Sequence, residues 1–80
     1  MASSLHSGKY SVLLELLIKT RKSSGFTQQQ VADKLGKPQS YIAKIERGER
    51  RLDVVEFSEL AKAMKADAVK LFEAWMKLQK

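Results

Sequence analysis

The segment 27–48 constrains the fold of this chain most, because its punctuation residues delimit two short helices. Thr27 and Gln30 stand three residues apart and form a capping box, which starts a helix. Gly36 ends that helix early, because glycine enters the left-handed backbone region without a steric cost. A second helix starts at or just after Pro38, where a missing backbone N–H costs nothing. This pattern predicts two short helices joined by a tight turn.

The rest of the chain shows helical spacing of its apolar residues, and no stretch alternates with the period of two expected for a strand. Asp53 and Glu56 repeat the capping arrangement before a fourth helix, and Asp67 caps a fifth. We therefore predict an all-α fold, with a polar N-terminal tail at 1–9 and one domain at 10–80. The predicted helices are about 10–24, 28–35, 39–47, 54–65 and 68–79. The inward stripe expected on the fourth helix consists of Val54, Phe57, Leu60, Ala61 and Met64.

Composition limits the chain to one small domain and excludes several classes of site. With 80 residues and no cysteine, it has neither disulfides nor thiolate metal ligands, which suits a reducing cytoplasm. The one histidine, His6, lies in the polar tail without a second ligand nearby, so we expect no metal. The apolar runs are too short for a membrane span, and the N-terminus lacks the features of a signal peptide. We expect a cytoplasmic protein without a cofactor.

Positive charge is concentrated in the middle of the chain. The net charge is +6, and between positions 34 and 51 six basic residues are accompanied by only two acidic ones. Such a local excess favours binding to polyanions, nucleic acid first. An ordinary solvated surface would carry the same charges, so the excess alone leaves both interpretations open.

The third predicted helix has one apolar side and one polar side. At about 100° per residue, Ile42 and Ile45 point the same way and supply the inward face. The opposite side carries amide, hydroxyl, methyl and cationic groups, contributed by Gln39, Ser40, Ala43, Lys44 and Arg47. A DNA major groove admits one helix and offers hydrogen-bonding base edges to such side chains. A solvated helix surface often has a similar composition, and that alternative stays open on these residues alone.

Two motifs combine caps, glycines and spacing, namely TQQQVADKLG and SYIAKIERGER. They lie within FTQQQVADKLGKPQSYIAKIERGERRLDVVEFSELAKAM, which is followed by ADAVKLF. From Tyr10 to about Phe72 the chain closely resembles the phage-repressor and Cro-type helix-turn-helix family, often called the XRE family. The resemblance implies a compact five-helix, lambda-repressor-like domain that binds double-stranded DNA, usually as a dimer, with helix 39–47 in the major groove.

The resemblance also implies roles for individual residues. The candidates for base contacts are Gln39, Ser40, Ala43 and Lys44. The positions that match phosphate contacts are Gln28, Arg47, Arg50 and Arg51. Lys37 and Tyr41 are further phosphate candidates, although Tyr41 has packing as an alternative role. Arg21 and Glu46 match a family pair that ties the first helix to the third. Pro38 departs from the family, which often has Ser or Thr there, so a hydroxyl contact is missing at this point.

The fifth predicted helix is apolar over too wide an arc for one core face. The expected core face contains Ala68, Leu71, Phe72, Trp75 and Gln79. Apolar residues left outside that face suggest a second chain, and the predicted dimer interface consists of Val69, Trp75, Met76 and Leu78. Val12 and Leu16 form a second apolar candidate on the first helix. The alternative is that these are single exposed apolar residues, which are common on monomers.

We predict a sequence-specific DNA-binding transcriptional regulator, expected to be a repressor, that binds an inverted repeat as a homodimer. The alternative is a protein-interaction module with a protein partner, such as the antitoxin of a toxin–antitoxin pair. An enzyme is the weakest interpretation, because the sequence has one histidine, no cysteine, and no carboxylate pair near a histidine or a phosphate loop.

Overall fold

The computed structural model describes residues 8–79, and this part of the chain forms five α-helices and no strand. The helices are α1 (Gly8–Ser23), α2 (Gln28–Leu35), α3 (Gln39–Glu46), α4 (Val54–Ala63) and α5 (Ala68–Leu78). The predicted all-α fold is confirmed. Helix α1 begins before the predicted position, so Gly8 and Lys9 belong to it rather than to a polar tail. His6 lies outside the described residues.

Capping boxes begin α2 and α4, as the sequence predicts. The Thr27 hydroxyl accepts a hydrogen bond from the Gln30 backbone N–H at 3.0 Å, and the Thr27 N–H donates to the Gln30 side chain at 2.9 Å. Asp53 and Glu56 make the same two bonds at 2.8 and 3.0 Å. Gly36 ends α2 with φ of 67°, in the left-handed region. A tight turn therefore leads directly from α2 into α3.

The core lies where the five helices meet. Its most deeply buried large side chains, each at most 2% exposed, are Leu17, Val31, Ile42, Ile45 and Met64. Helix α3 contributes two of these residues, and it packs against α2 and α1. The inward face predicted for α3 is thereby confirmed, and the packing leaves the other side of the helix uncovered.

One residue of the predicted α4 stripe is not buried. The stripe residues that are buried are Phe57, Leu60, Ala61 and Met64. Val54, by contrast, is 77% exposed, so its predicted burial was wrong. It is the first residue of α4 and lies roughly 70° around the helix from the centre of the stripe. Helix α4 therefore presents an apolar side chain to solvent at its N-terminal end.

Candidate nucleic-acid interface

Helix α3 is buried on one side and exposed on the other. Ile42 and Ile45 are each 1% exposed, whereas Gln39, Ser40 and Lys44 are exposed. Helices α2 and α3 pack directly against each other and are joined by a glycine turn, which is the arrangement of a helix-turn-helix. Three of the four side chains predicted to contact bases therefore lie on the uncovered side of α3.

The fourth, Ala43, is buried at 8% exposure, so the prediction that it points outward was wrong. Gln39 and Glu46 lie one helical turn before and after it, on the same side of α3. The Gln28 side chain hydrogen-bonds to both of them and so spans the alanine position. The methyl group of Ala43 therefore contributes to the packing of α2 on α3.

The predicted Arg21–Glu46 pair is present and joins α1 to α3. Arg21 Nε donates to Glu46 Oε2 at 2.7 Å, and Arg21 Nη2 donates to Oε1 at 3.1 Å. Arg21 Nη1 donates to the Phe26 carbonyl at 3.0 Å. Both side chains of the pair are 11% exposed. The two-point contact matches the fork of a guanidinium to a carboxylate and sets the position of the last turn of α3.

Gln28, predicted to contact a phosphate, makes two side-chain hydrogen bonds within the protein. Its Nε2 donates to Glu46 Oε1 at 2.8 Å, and its Oε1 accepts from Gln39 Nε2 at 2.5 Å. A primary amide has two N–H groups and an oxygen with two lone pairs. Gln28 therefore retains one N–H for a further acceptor, and Gln39 retains one N–H and its oxygen.

Two cations lie against the Tyr41 ring near the start of α3. Lys37 Nζ is 5.2 Å and Arg50 Cζ is 4.8 Å from the ring centroid, within the range of cation–π contacts. Tyr41 is partly buried, and this burial, followed by the charge of Glu56, raises the pKa of its hydroxyl. The hydroxyl therefore stays protonated at neutral pH and can donate a hydrogen bond. A concave basic surface here is lined by Lys37, Pro38, Ser40, Tyr41, Lys44 and Arg50.

Arg50 forms a two-point ion pair with Glu56 of α4. Its Nη1 and Nη2 donate to the two carboxylate oxygens at 3.1 and 2.8 Å. The bond from Arg50, together with the backbone N–H of Asp53, lowers the pKa of Glu56 to about 2. Arg50 therefore ties the α3–α4 loop to the first turn of α4, in addition to placing a positive charge beside α3.

The other two arginines predicted to contact phosphates lie in the same loop. Arg47 directly follows α3, and its Nε donates to Glu49 at 2.9 Å. The two side chains are 57% and 47% exposed. Their hydrogen bond raises the pKa of Arg47 and lowers that of Glu49. The guanidinium of Arg51 lies 4.5 Å from the Tyr10 ring centroid. The loop that follows α3 therefore carries three arginines, each held by a contact within the protein.

Sequence reasoning missed two partners of these arginines, Glu56 and Tyr10. The capping box identified Glu56 as a cap residue, but nothing in the sequence indicated that its second role is to bind Arg50. Tyr10 is buried in α1, and its hydroxyl also accepts a hydrogen bond from the backbone N–H of Leu52 at 3.2 Å. Both contacts depend on the path of the α3–α4 loop, which local patterns do not specify.

The predicted dimer interface is divided between two sides of α5. Val69 is 67% and Leu78 is 55% exposed, but nine residues of separation place them about 180° apart on the helix. Val69 lines an apolar groove between α4 and α5, whereas Leu78 lines a groove with Val12 and Leu16 of α1. The predicted residues therefore lie on more than one side of α5, and the dimer interface stays a prediction. The first surface, here called the α4–α5 patch, comprises the exposed residues Val54, Val69, Phe72 and Met76.

Trp75, also predicted in the interface, makes its main contacts within the chain. Its indole N–H donates to the Lys9 carbonyl at 2.9 Å, and its ring centroid lies 5.5 Å from that of Phe72. Phe72 was expected in the core but is 47% exposed. Trp75 therefore holds α5 against the start of α1, and Phe72 belongs to the surface beside it.

Neither a metal centre nor a membrane segment is found in residues 8–79. No group of three histidine, cysteine or carboxylate side chains in this range could hold a metal ion. No helix in it is both long enough and apolar enough to cross a bilayer.

Comparisons with known proteins agree with this geometry. A helix-turn-helix family model matches residues 17–71. An XRE-family-like protein from Pseudomonas syringae pv. tomato superposes with a TM-score of 0.88 at 35% identity, over 99% of this chain and 96% of that one. The restriction-modification controller protein C.Esp1396I was solved as a tetramer in complex with its natural 35 base-pair operator. It superposes with a TM-score of 0.80 at 29% identity, over 90% of this chain and 95% of that one. The uncharacterized HTH-type transcriptional regulator y4dJ of Sinorhizobium fredii is 37% identical over 51 residues, which are 64% of this chain and 66% of that protein.

Proposed function

Because the chain belongs to the helix-turn-helix family of the XRE type, we propose that it is a sequence-specific transcriptional regulator that binds double-stranded DNA. This is a family of DNA-binding regulators rather than a class of enzymes. The observation that carries the proposal is the uncovered side of α3. There the exposed Gln39 amide bonds to Gln28, and Lys37, Lys44 and Arg50 line the adjacent surface. A helix of this kind fits a major groove.

Gln39 has the groups needed to recognise adenine through two hydrogen bonds. Adenine presents an N7 acceptor beside an N6 donor in the major groove. The N–H and oxygen that Gln39 does not use inside the protein complement these two groups. Lys44 is exposed farther along α3 and can donate to guanine, and Ser40 can contact either a base or a phosphate. We propose that these three residues read the sequence.

The cations around α3 are proposed to contact the DNA backbone. Exposed Lys37 lies at the N-terminal end of α3, and Arg47 at its C-terminal end. The Arg47–Glu49 pair is about half exposed, and such pairs add little stability, so exchanging Glu49 for a phosphate costs little. Arg50 and Arg51 extend the basic surface into the following loop. Gln28, with its remaining N–H, and the Tyr41 hydroxyl complete the proposed set of phosphate contacts.

We further propose a homodimer formed through the α4–α5 patch. Its four apolar side chains are between 47% and 77% exposed, and a second copy would remove this surface from water. A two-fold dimer would present two α3 helices about 34 Å apart and read an inverted repeat. C.Esp1396I was solved as a tetramer on its operator, which supports binding by a multimer. A dimer on its operator excludes other proteins from that DNA, so we propose repression.

Selection of bound sequences from a random duplex pool tests the DNA-binding proposal. We expect an enriched inverted repeat, and affinity that falls with salt with a log–log slope of about −0.9 per phosphate contacted. Gln39→Ala should lower affinity for the selected site by about 1–3 kcal/mol and relax the preference at one base pair in each half-site. Failure to enrich any sequence at low ionic strength would contradict the proposal.

Sedimentation of two matched variants tests the homodimer. Val69→Lys places a charge in the α4–α5 patch and should convert the dimer to a monomer. Leu78→Lys makes a comparable change on the opposite side of α5 and should leave the dimer intact. The reverse outcome would move the interface to the groove between α1 and α5.

A protein-interaction module is the second candidate function, and the groove formed by Val12, Leu16 and Leu78 favours it. This groove is separate from the α4–α5 patch, so it stays exposed in the proposed homodimer. An antitoxin-like protein would bind its partner there. The selection experiment separates the two candidates, because an interaction module without DNA binding enriches no sequence.

A further inference from the structure

The groove between α1 and the end of α5 combines apolar side chains with one group of each charge. It is lined by Val12, Glu15, Leu16, Lys19 and Leu78. Leu78 is 55% exposed, and Val12 and Leu16 are partly buried. We call these five residues the α1–α5 groove. It shares no residue with the α4–α5 patch, so the proposed homodimer leaves it open.

The two charged side chains of the α1–α5 groove lie one helical turn apart on α1. Glu15 and Lys19 are both exposed, and neither belongs to a salt bridge within residues 8–79. Their opposite charges cancel, so the groove is close to neutral in a chain whose net charge is +6. A second copy of this basic protein therefore meets less repulsion at the groove than at the surface around α3.

The order of these groups along α1 makes the groove complementary to a second copy of itself. If two α1 helices lie antiparallel about a two-fold axis level with Leu17, residues equally far before and after Leu17 stand opposite each other. Glu15 of one copy then faces Lys19 of the other, and the symmetry forms this ion pair twice. At about 100° per residue, Leu16 lies on the other side of the contact line, where it meets Leu16 of the second copy.

We propose that the α1–α5 groove binds a second copy of this chain and thereby joins two homodimers bound side by side on DNA. Each copy contributes the charged pair and the apolar side chains of Leu16 and Leu78. A different protein bound in the groove would require no such symmetry, so the complementarity favours a second copy. The role on DNA rests on the proposed function, whereas the contact between copies does not.

The contact is expected to be weak between free homodimers. Stable interfaces use about 20–30 residues from each partner, far more than line this groove. Two neighbouring operators hold one homodimer close to the next, which raises the effective concentration of the second groove. The contact therefore adds little in free solution and makes binding to paired operators cooperative.

Disulfide trapping tests the contact without DNA, because the chain has no cysteine of its own. In helices packed about 8–10 Å apart, the two-fold arrangement brings the Cα atoms of residue 16 to about 6 Å, within the range of a disulfide. We expect Leu16→Cys to form a disulfide between copies under mild oxidation. Ser23→Cys is the matched control, because Ser23 is exposed on the same side of α1 but about 9 Å farther along the helix from the axis. It should be trapped several-fold more slowly.

Exchange of the two charges tests the orientation of the contact in the Leu16→Cys protein. Glu15→Lys leaves only cations beside the axis and Lys19→Glu leaves only anions, so each should slow trapping several-fold at low salt. Glu15→Lys/Lys19→Glu exchanges the charges and should restore the rate. Glu73→Lys is the control for net charge, because Glu73 is exposed and lies about 140° from Leu78 around α5. Circular dichroism checks that each variant is folded.

The role on DNA is measured with the cysteine-free charge variants on duplexes that carry two selected operators. The distance between the operators is changed in steps of half a helical turn, about 5 bp. We expect the second homodimer to bind on the order of tenfold more tightly than the first at one helical phase. Glu15→Lys should abolish this gain, and the exchange of both charges should restore it.

The outcomes separate this inference from the proposed function. If Leu16→Cys is trapped no faster than Ser23→Cys, or the exchange of both charges restores nothing, two copies do not meet at the groove and the inference is wrong. If single operators are bound but no spacing gives cooperative binding, the role on DNA is wrong and the proposed function stands. If no sequence is enriched, the proposed function fails, and trapping still decides whether two copies meet at the groove.

Discussion

Glu46 and Arg47 are neighbours at the end of α3 and each forms an ion pair, yet the two pairs differ in their physical setting. The side chains of the Arg21–Glu46 pair are 11% exposed, whereas those of the Arg47–Glu49 pair are 57% and 47% exposed. The Arg21–Glu46 pair, here called the inner pair, joins two helices across 25 residues of sequence. The Arg47–Glu49 pair, here called the outer pair, joins residues two apart. Burial and sequence separation, rather than charge, decide which pair organises the fold.

The two pairs differ in burial because Glu46 and Arg47 are successive residues of a helix and point in different directions. About 100° separates successive side chains, so Glu46 turns toward α1 and α2 and Arg47 turns toward solvent. A buried charge that loses its partner is strongly destabilising, whereas an exposed pair contributes little beyond what water already provides. The inner pair therefore stabilises the arrangement of α1 and α3, and the outer pair leaves Arg47 able to exchange its partner for a phosphate.

Glu46→Ala should have the largest effect on stability. Removing one partner of a buried ion pair leaves the other charge stranded, which costs about 3–5 kcal/mol. Urea unfolding followed by circular dichroism measures the change. Arg21→Met/Glu46→Leu is the control, and it should recover part of the loss because it strands no charge. A loss below about 1 kcal/mol in Glu46→Ala would show that the inner pair resembles the outer one.

The Arg50–Glu56 pair lies between these two cases, at 39% and 22% exposure, and it makes stability depend on pH. The pKa of Glu56 is about 2 in the folded protein, below its ordinary value of 4.5. Its contribution to stability is therefore complete above about pH 4.5 and is lost as the pH falls toward 2. Arg50→Ala should raise the pKa of Glu56 and flatten this dependence.

A carboxyl titration by NMR, with urea unfolding at several pH values, measures both effects. A midpoint near 4.5 for Glu56 in the unmodified protein would show that the pair is not formed in solution.

Arg47→Ala should affect DNA binding rather than folding. We expect the unfolding free energy to stay at its wild-type value, because the pair is exposed. Affinity should fall by a similar factor on the selected operator and on random DNA, and the salt slope should decrease by about one phosphate contact. Gln39→Ala provides the contrast, since it should lower affinity for the selected operator and leave affinity for random DNA unchanged. An Arg47→Ala variant that loses preference at a single base pair would make Arg47 a base contact.

Glu49→Ala should have the smallest effect. Removing it leaves the fold unchanged, and it takes a negative charge away from the surface proposed to face the DNA backbone. Affinity for DNA of any sequence should therefore rise slightly, with the largest change at low salt. Filter binding at two salt concentrations measures this change in affinity. Weaker binding would mean that Glu49 orients Arg47 toward the DNA backbone.

Most of the helix-turn-helix was predictable because its signals are local. The Thr27–Gln30 capping box spans three residues and the Gly36 cap reaches back four residues, to Ala32, and both behave as predicted. Side-chain exposure near the edge of a face was less predictable. Ala43 was assigned to the outside of α3 from its angle alone, but it is 8% exposed and lies between two residues that bond to Gln28 of the neighbouring helix. Val54 shows the opposite error, because it was predicted to be buried and is exposed. No other helix covers the start of α4 at that angle.

The amino-acid sequence by itself determined where the helices begin and end and which side of α3 carries the isoleucines. Capping and periodicity act over one or two turns of backbone, so they can be read without knowing what lies opposite. Only the tertiary structure decided that Gln28 connects Glu46 to Gln39, that Arg50 binds Glu56, and that Trp75 bonds to Lys9. These contacts join groups on different elements, and the one between Trp75 and Lys9 spans 66 residues. The packing of the helices sets the distances between such groups, and no local pattern encodes it.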